Sequence, residues 1–222
     1  KLIPIFSDVI EPDADMAAVI DEQRAPYKAE LEEVIGQTDS LLYRRGNFNG
    51  TFDQVICDAL RQMNDAQVSL SPGFRWGTSV LPGQPITMDH VMDQTGMTYP
   101  ETYRREMTGA DIKIILEDVC DNLFNPDPYI QQGGDMVRVG GLDYVCDPTE
   151  GIGKRISNMT LDDGTPVEAD KKYIVAGWAT VTCIFTAAAL MPLGDATAIS
   201  FLNPLIAMVL AIPLLGERVG PW

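Results

Sequence analysis

Two apolar stripes at helical spacing constrain the fold more than any other feature of this sequence. In each stripe, apolar residues recur at offsets of three, four, seven, eight and eleven positions, which is the spacing of one face of an α-helix. The first stripe is Phe52, Val55, Ile56, Ala59, Leu60 and Met63, and the second is Ile112, Ile115, Leu116, Val119, Cys120 and Leu123. Both stripes must be buried, so we predict helices over about 51–64 and 108–124 that pack against a sheet.

Short apolar runs between turn residues predict strands, and those at 66–70, 137–145, 154–161 and 172–178 are expected to form that sheet. A helical pattern rich in Glu and Ala covers residues 13–35, with a break expected at Pro26. Residues 99–107 are extended and mixed in character, and Asp162-Asp163-Gly164 joins the last two predicted strands. The expected fold class is α/β, with a mixed sheet packed by helices. The predicted strands are 2–6, 40–45, 66–70, 137–145, 154–161 and 172–178.

An arginine follows one buried strand at a Pro-Gly turn. The run Leu70-Ser71-Pro72-Gly73-Phe74-Arg75-Trp76-Gly77 places this cation between two aromatic residues. Glycine permits close approach of backbone to a ligand, and a guanidinium group suits phosphate-like or sulfur oxyanions. These eight residues alone leave two readings balanced: Arg75 binds substrate, or it pairs with a surface carboxylate.

The charge balance argues against a nucleic-acid partner. Sixteen basic and thirty-two acidic residues give a net charge of −16, whereas phosphate contacts need clustered Lys and Arg. The balance is compatible with an exported protein. The start at Lys1, without a signal-like segment, suggests a fragment or a processed chain.

The cysteines and the histidine predict no metal site in this chain. Four cysteines lack paired short spacing and His90 is the one histidine, so no zinc pattern is present. Cys57 and Cys120 fall in helical patterns typical of buried thiols. The sequence leaves open whether Cys120 and Cys146 form a disulfide.

The character of the chain changes after Trp178. No charged residue lies between Lys172 and Asp195, or between Asp195 and Glu217. Residues 196–215 have the length that spans a bilayer, and membrane helices tolerate the prolines they contain. We predict helices at 181–193 and 196–215 that form an apolar, membrane-inserted hairpin. The alternative is a hydrophobic hairpin buried in a soluble core.

Five long runs closely resemble the C-terminal domain of the SoxB thiosulfohydrolases, over residues 1–179. The runs are LYRRGNF (42–48), FDQVICDAL (52–60), LSPGFRWG (70–77), NLFNPDPY (122–129) and QQGGDMVRVGG (131–141). SoxB enzymes belong to the 5′-nucleotidase superfamily. The resemblance implies periplasmic hydrolysis of a sulfonate from a cysteine persulfide on a sulfur-carrier protein, in thiosulfate oxidation.

The resemblance also implies a division of labour between domains. Two metal ions, expected to be manganese, would activate water in an N-terminal metallophosphatase domain that this sequence lacks. No residue here is therefore expected to be catalytic or to bind metal, and the chain alone should be inactive. The implied partners are the carrier protein and the metallophosphatase domain.

Site residues carry over from the nucleotidase motif Gly-Gly-Ile-Arg, whose place is taken here by Pro72-Gly73-Phe74-Arg75. Nucleotidases hold the base between two aromatic residues, the first in a Pro-Phe-Gly-Asn run. Residues 94–99 lack that phenylalanine, which disfavours a nucleotide substrate, and the chain has already diverged where the second aromatic would come. We expect Arg75 on a concave face, with Tyr99 or the Gly133-Gly134 loop nearby. The expected substrate-binding residues are Gly73, Phe74, Arg75, Tyr99, Gly133 and Gly134.

Residues 181–222 instead resemble part of an EamA-type drug/metabolite transporter, around Leu193-Gly194-Asp195-Ala196 and Leu215-Gly216-Glu217-Arg218. The predicted organisation is a connector with a helix (1–38), a 5′-nucleotidase C-terminal-like domain (39–179) and a transmembrane transporter fragment (181–222). Two alternatives remain: a 5′-nucleotidase-type phosphohydrolase domain, and a membrane transporter fragment with a soluble passenger domain.

Overall fold

The computed structural model describes residues 3, 9–73, 77–95, 101–131 and 134–178. It divides into a first unit (Lys1–Arg45, Gly50–Phe52 and Arg75–Gly96) and a second unit (Gly46–Asn49, Asp53–Phe74 and Met97–Trp222). The α-helices are α1 (Ala14–Arg24), α2 (Lys28–Leu31), α3 (Thr51–Asn64), α4 (Met88–Thr95) and α5 (Gly109–Phe124). The strands are β1 (Val34–Gln37), β2 (Val68–Ser71), β3 (Pro85–Thr87), β4 (Thr102–Thr108), β5 (Arg138–Gly140), β6 (Leu142–Cys146), β7 (Ile156–Leu161) and β8 (Lys172–Trp178).

The first unit contains a small antiparallel ladder in which β1 pairs with β3. Helix α1 precedes it and buries none of its residues. Pro26 lies in a 3₁₀ turn between α1 and α2, so the predicted break is confirmed. The helix prediction for 13–35 is wrong at its end, because Val34 and Ile35 belong to β1. Their β-branched side chains suit a strand, and the ladder with β3 supplies their backbone partners.

The second unit is built on a four-stranded sheet with the order β4-β8-β2-β5. Strands β8 and β2 run parallel, while the β4–β8 and β2–β5 pairs are antiparallel. The predicted mixed sheet and mixed α/β class are therefore confirmed. Strand β8 occupies a central position, with seven paired positions along β4.

Helices α3 and α5 cover opposite faces of this sheet. Val68 and Leu70 of β2 are fully buried in one core with the apolar stripe of α5. Ser69, between them, points to the other face, and its Oγ donates to the carbonyl of Cys57 in α3 at 2.8 Å. Both helices form where predicted, and Thr108 and Asp111 form a capping box at the start of α5. The prediction that α3 buries its whole stripe is wrong: Val55, Ala59 and Met63 are exposed, because the buried face is the one that carries Asp53 and Cys57.

One predicted strand is in fact two. Residues 137–145 divide at Gly141 into β5 and β6, which belong to different sheets, and β6 forms a separate hairpin with β7. Gly141 has φ +71, and a side chain there would overlap the carbonyl oxygen of Gln67. Only glycine fits this turn, so the chain changes direction here. The prediction that 154–161 joins the main sheet is also wrong, because β7 pairs with β6, which the turn at Gly141 separates from that sheet.

The other strand predictions differ in outcome. Residues 66–70 and 172–178 are confirmed as β2 and β8, and the extended stretch 99–107 contains most of β4. The strand predicted at 40–45 is wrong: Leu42 makes one isolated bridge to Val80. The strand at 2–6 and the tail at 181–222 fall almost entirely outside the described residues. Within 3, 9–73, 77–95, 101–131 and 134–178, no helix is long and apolar enough to cross a membrane.

Candidate functional site

Two of the predicted substrate-binding residues, Gly73 and Gly134, lie in the described part of the chain. Gly73 follows the end of β2 and lies directly against the segment after Gly134. A side chain at residue 73 would overlap the carbonyl oxygen of Met136 and approach Cβ of Asp135 to 2.8 Å. The backbone contact therefore needs glycine, and it brings the ends of two loops together in the second unit.

Gly134 has φ +92, in the region that glycine adopts most readily. The chain then enters a buried segment, in which Met136 is fully buried and Asp135 nearly so. The amide of Met136 donates to the carbonyl of Asn47 at 2.9 Å. The segment that follows Gly134 is thus anchored by burial and by this hydrogen bond.

Two buried carboxylates and one backbone carbonyl in this region surround the side chain of Arg138. Its side chain is fully buried, with Nε 3.2 Å from Asp53 and Nη2 3.3 Å from Asp135. Nη2 also donates to the carbonyl of Gly46 at 2.9 Å. We call Arg138, Asp53, Asp135 and Gly46 the Arg138 cluster.

Asn49 completes this support by mimicking a neighbouring strand. Its side-chain amide donates to the carbonyl of Val139 at 2.7 Å and accepts from the Val139 amide at 3.1 Å. Together with the Asn47 contact, these bonds fasten the 46–49 loop along β5. Three segments, at 46–49, 71–73 and 134–139, therefore converge in the second unit.

This arrangement positions loops and performs no chemistry itself. The Arg138 side chain is fully buried, so none of its guanidinium surface is exposed to a ligand. Phe74, Arg75, Tyr99 and Gly133 lie outside the described residues, so their predicted proximity to one another is untested. Among the residues the structure describes, no group of three or more His, Cys, Asp and Glu side chains could hold a metal ion. These residues do not fit the two metal ions implied by the sequence resemblance.

A second ionic group lies elsewhere in the second unit and centres on an anion. The Glu117 carboxylate accepts from Nζ of Lys113 at 2.9 Å and from the amides of Gly153 (2.8 Å), Ile156 (2.8 Å) and Arg155 (3.3 Å). We call these residues the Glu117 cluster. Burial acts to raise the pKa of Glu117, but the hydrogen bonds from Ile156, Lys113 and Gly153 outweigh it and hold the pKa below its usual value.

Three members of the Glu117 cluster, Lys113, Glu117 and Gly153, line a groove of about 520 Å³ beside α5. Apolar side chains from Ile114, Ile152, Met159 and Val167 form most of its walls. Its two central charged groups bond to each other, and Lys113 also donates to two carbonyls. These charges fasten α5 to the β6–β7 hairpin, so the groove offers no free catalytic group from this pair.

The model of the 5′-nucleotidase C-terminal domain matches residues 34–182. This chain belongs to that family. The match covers the main sheet, α3, α5 and the Arg138 cluster. It ends at residue 182, and the comparisons give no support to the transporter-like interpretation of the tail.

Solved structures resemble this 5′-nucleotidase C-terminal domain closely. The sulfate thiohydrolase SoxB of Thermus thermophilus is 38% identical with a TM-score of 0.75, and the match covers 79% of this chain and 32% of that one. The 5′-nucleotidase precursor of Thermus thermophilus is 20% identical with a TM-score of 0.64, covering 77% and 34%. The NAD nucleotidase of Haemophilus influenzae is 18% identical with a TM-score of 0.57, covering 78% and 33%.

The chain spans about a third of the length of each of these structures. The two nucleotidases show the fold alone at their level of identity, whereas SoxB is similar in sequence as well. A search of curated proteins gave no match.

Sequence reasoning missed the residues that support the site in this 5′-nucleotidase C-terminal domain. It gave Asp53, Arg138, Asp135 and Asn49 no role in the site. One signal was present: Arg138 stands between Val137 and Val139 in a strand, and a buried cation at such a position requires a carboxylate partner. The partner could not be chosen from the thirty-two acidic residues without the fold.

Proposed function

We propose that this chain is the substrate-specificity domain of a SoxB-like thiosulfohydrolase acting in periplasmic thiosulfate oxidation. The observation that carries the proposal is the greater similarity to SoxB, at 38% identity against 20% and 18% for two nucleotidases. The substrate would be a sulfonate held on a cysteine persulfide of a sulfur-carrier protein. Hydrolysis would leave one sulfur atom on the carrier.

Arg75 is the proposed ligand of the sulfonate oxyanion, because a guanidinium fork matches a sulfur oxyanion with two parallel hydrogen bonds. Gly73 supports this assignment through its contact with Asp135 and Met136, which fixes where the loop to Arg75 leaves β2. Phe74, Tyr99, Gly133 and Gly134 would complete the surface around the substrate. Because the Arg138 cluster is buried, it would keep these loops in register without touching substrate.

Catalysis would come from a metallophosphatase domain that supplies two metal ions, with manganese the expected metal. No residue described here would hold them, so no step of the reaction is assigned to this chain. On its own the chain should therefore show no metal-dependent hydrolysis of thiosulfonates or nucleotides. Metal-stimulated turnover by the purified chain would refute this division of labour.

The substrate preference can be tested in a protein that joins this domain to its metallophosphatase domain. We expect hydrolysis of the carrier-linked sulfonate and little hydrolysis of nucleoside monophosphates. The reverse preference would favour the alternative, a 5′-nucleotidase-type phosphohydrolase. The sequence argues against that alternative, because the stretch that begins at Gln94 lacks the nucleotidase phenylalanine. The side chain of Gln94 itself is buried and donates to the carbonyl of Thr78.

The role of Arg75 can be tested in the same protein. Arg75→Ala should lower kcat/KM by roughly 10²-fold or more if the guanidinium stabilises charge that develops in the transition state. Arg75→Lys should recover only part of this loss, because an ammonium lacks the fork. Arg105→Ala, which removes an exposed arginine on β4, is the matched control and should change little. Equal kcat/KM values for the Arg75 and Arg105 variants would indicate that Arg75 pairs with a surface carboxylate and does not bind substrate.

The tail at 181–222 carries a separate proposal that rests on its sequence. Its two charge-free runs would form a membrane-inserted hairpin, which would anchor the soluble domain to a membrane. The full chain should then partition into detergent, while a chain ending near residue 179 should not. A full chain that remains monomeric in buffer without detergent would refute the anchor, and would leave the thiosulfohydrolase proposal intact.

A further inference from the structure

The fold brings two cysteines from distant parts of the second unit into contact. Cys120 lies on α5 and Cys146 ends β6, and their sulfur atoms are 3.1 Å apart across a separation of 26 residues. A disulfide bond requires the sulfurs to be about 2.05 Å apart, so the two thiols need to approach by only about 1 Å. The helix and the strand that hold them pack in one core, so both backbones are already placed.

We propose that Cys120 and Cys146 form a disulfide that links α5 to the β6–β7 hairpin. The bond would close a loop that contains Gly134, Asp135 and Arg138. It would therefore tie together the ends of the segment that supports the candidate substrate loop. The proposal stands on the contact between the two sulfurs and does not depend on the thiosulfohydrolase assignment.

The surroundings of the two thiols differ, and the difference gives them different roles. Cys120 is fully buried, whereas Cys146 is half-buried and open to a reagent. Burial, together with the hydrogen bond to Cys146, raises the pKa of Cys120 to about 12. Cys146 is thus the thiol that an external oxidant meets first.

The oxidation proceeds by thiol–disulfide exchange with a disulfide-bearing oxidant. The Cys146 thiolate attacks one sulfur of the oxidant, whose disulfide bond breaks and releases one thiolate. Cys120 then loses its proton to water and attacks Sγ of Cys146, which releases the second thiolate. Two protein thiols lose two electrons and two protons, and the oxidant is reduced to two thiols.

Oxidised glutathione is a suitable probe of this step on the folded full-length chain in mild detergent. After incubation, free thiols are blocked with iodoacetamide and the chain is digested with trypsin without reduction. Cleavage after Lys113, Arg138 and Lys154 places Cys120 in peptide 114–138 and Cys146 in peptide 139–154. We expect one species that contains both peptides and weighs two hydrogens less than their sum.

Two variants make the result specific. Cys183→Ser should still give the linked pair, because it leaves both partners intact. Cys146→Ser should abolish the linked pair. If both peptides instead carry the iodoacetamide adduct or separate glutathione adducts, or if either links to Cys57 or Cys183, the proposal is overturned.

Thermal unfolding gives a second readout. Closing a loop of this length should raise Tm by roughly 5–10 °C when the chain is oxidised. The Cys146→Ser variant should show no such rise under the same treatment. Equal responses of the two proteins would mean that oxidation acts elsewhere, and would also overturn the proposal.

Discussion

The second unit contains two buried ionic clusters of opposite design. The Arg138 cluster surrounds one cation with two carboxylates and a carbonyl, and the side chains of its ion pairs are buried to 2% exposure or less. The Glu117 cluster surrounds one anion with three backbone amides and a lysine that is 36% exposed. The first depends on charged partners that must all be present, while the second depends mostly on backbone groups that the fold supplies.

This difference predicts how well each cluster tolerates a substitution. Only a substitution by proline removes a backbone amide, so other single substitutions remove at most one charged side chain, Glu117 or Lys113, from the Glu117 cluster. Removal of Arg138 leaves two carboxylates buried without their shared cation, which is a far greater cost. The cluster with the greater cost also includes Asp135, which directly follows Gly134, one of the proposed substrate-binding residues.

The largest effect should follow from Arg138→Met, which removes the cation and keeps an apolar side chain of similar length. We expect the free energy of unfolding to fall by roughly 3–5 kcal/mol, because Asp53 and Asp135 lose a buried partner. Urea unfolding followed by circular dichroism would measure the change. Arg138→Lys should lose less, since it retains the charge. If the free energy of unfolding of Arg138→Met lies within about 1 kcal/mol of the wild-type value, the Arg138 cluster contributes no more to stability than a surface ion pair.

Glu117→Gln should have the second largest effect. The amide keeps the size of the side chain but loses the charge that the amides of Gly153 and Ile156 meet. We expect a loss of about 1.5–3 kcal/mol, the range for hydrogen bonds to charged groups. Glu150→Gln is the matched control, because Glu150 is exposed, and it should stay within about 0.5 kcal/mol. A Glu117→Gln loss as large as that of Arg138→Met would remove the contrast between the clusters.

Low pH should abolish the contribution of the Glu117 carboxylate to the free energy of unfolding. Its folded pKa lies below the unfolded value of 4.5, so the carboxylate stabilises the fold above about pH 4.5. That contribution is lost as the pH falls from 4.5 through the folded pKa. The stability difference between the wild type and Glu117→Gln should therefore be full at pH 7 and shrink below pH 4.5. A difference that stays constant from pH 7 to pH 3 would show that charge on Glu117 contributes nothing.

The smallest effect should come from an ion pair that is not buried. Lys172 and Glu106 meet at 2.9 Å across β4 and β8, with side chains 67% and 57% exposed. Water screens such a pair, so Lys172→Ala should leave the urea midpoint unchanged within error. A clear shift of the midpoint would mean that burial is not what separates the two clusters from surface pairs.

Local patterns predicted the helices of this fold better than its sheet. The boundaries of α3 and α5 followed from their apolar stripes. These signals lie within one segment. Strand pairing depends on distant segments, which is why residues 137–145 looked like one strand. The carbonyl oxygen of Gln67, more than seventy residues away in sequence, leaves no room for a side chain at Gly141, where the chain turns.

The candidate site shows the same limit. Gly73 was selected from the sequence because of its place before Arg75, and the structure adds that it contacts Asp135 and Met136. The Arg138 cluster joins residues 46, 53, 135 and 138, and no local pattern links them. A chain with twice as many acidic as basic residues offers too many partners for each arginine. Only the three-dimensional structure identifies Asp53 and Asp135 as the partners of Arg138.

The position of β8 has a consequence for the order in which the chain can fold during synthesis. This central strand is the last of its sheet to leave the ribosome, and Trp178 must reach back 107 residues to hydrogen-bond with Ser71. Until β8 emerges, one edge of β2 and the whole of β4 lack their neighbour. Contacts this distant in sequence slow folding and expose unpaired strand edges. The nascent domain therefore has to be kept from aggregating until nearly all of it has been translated.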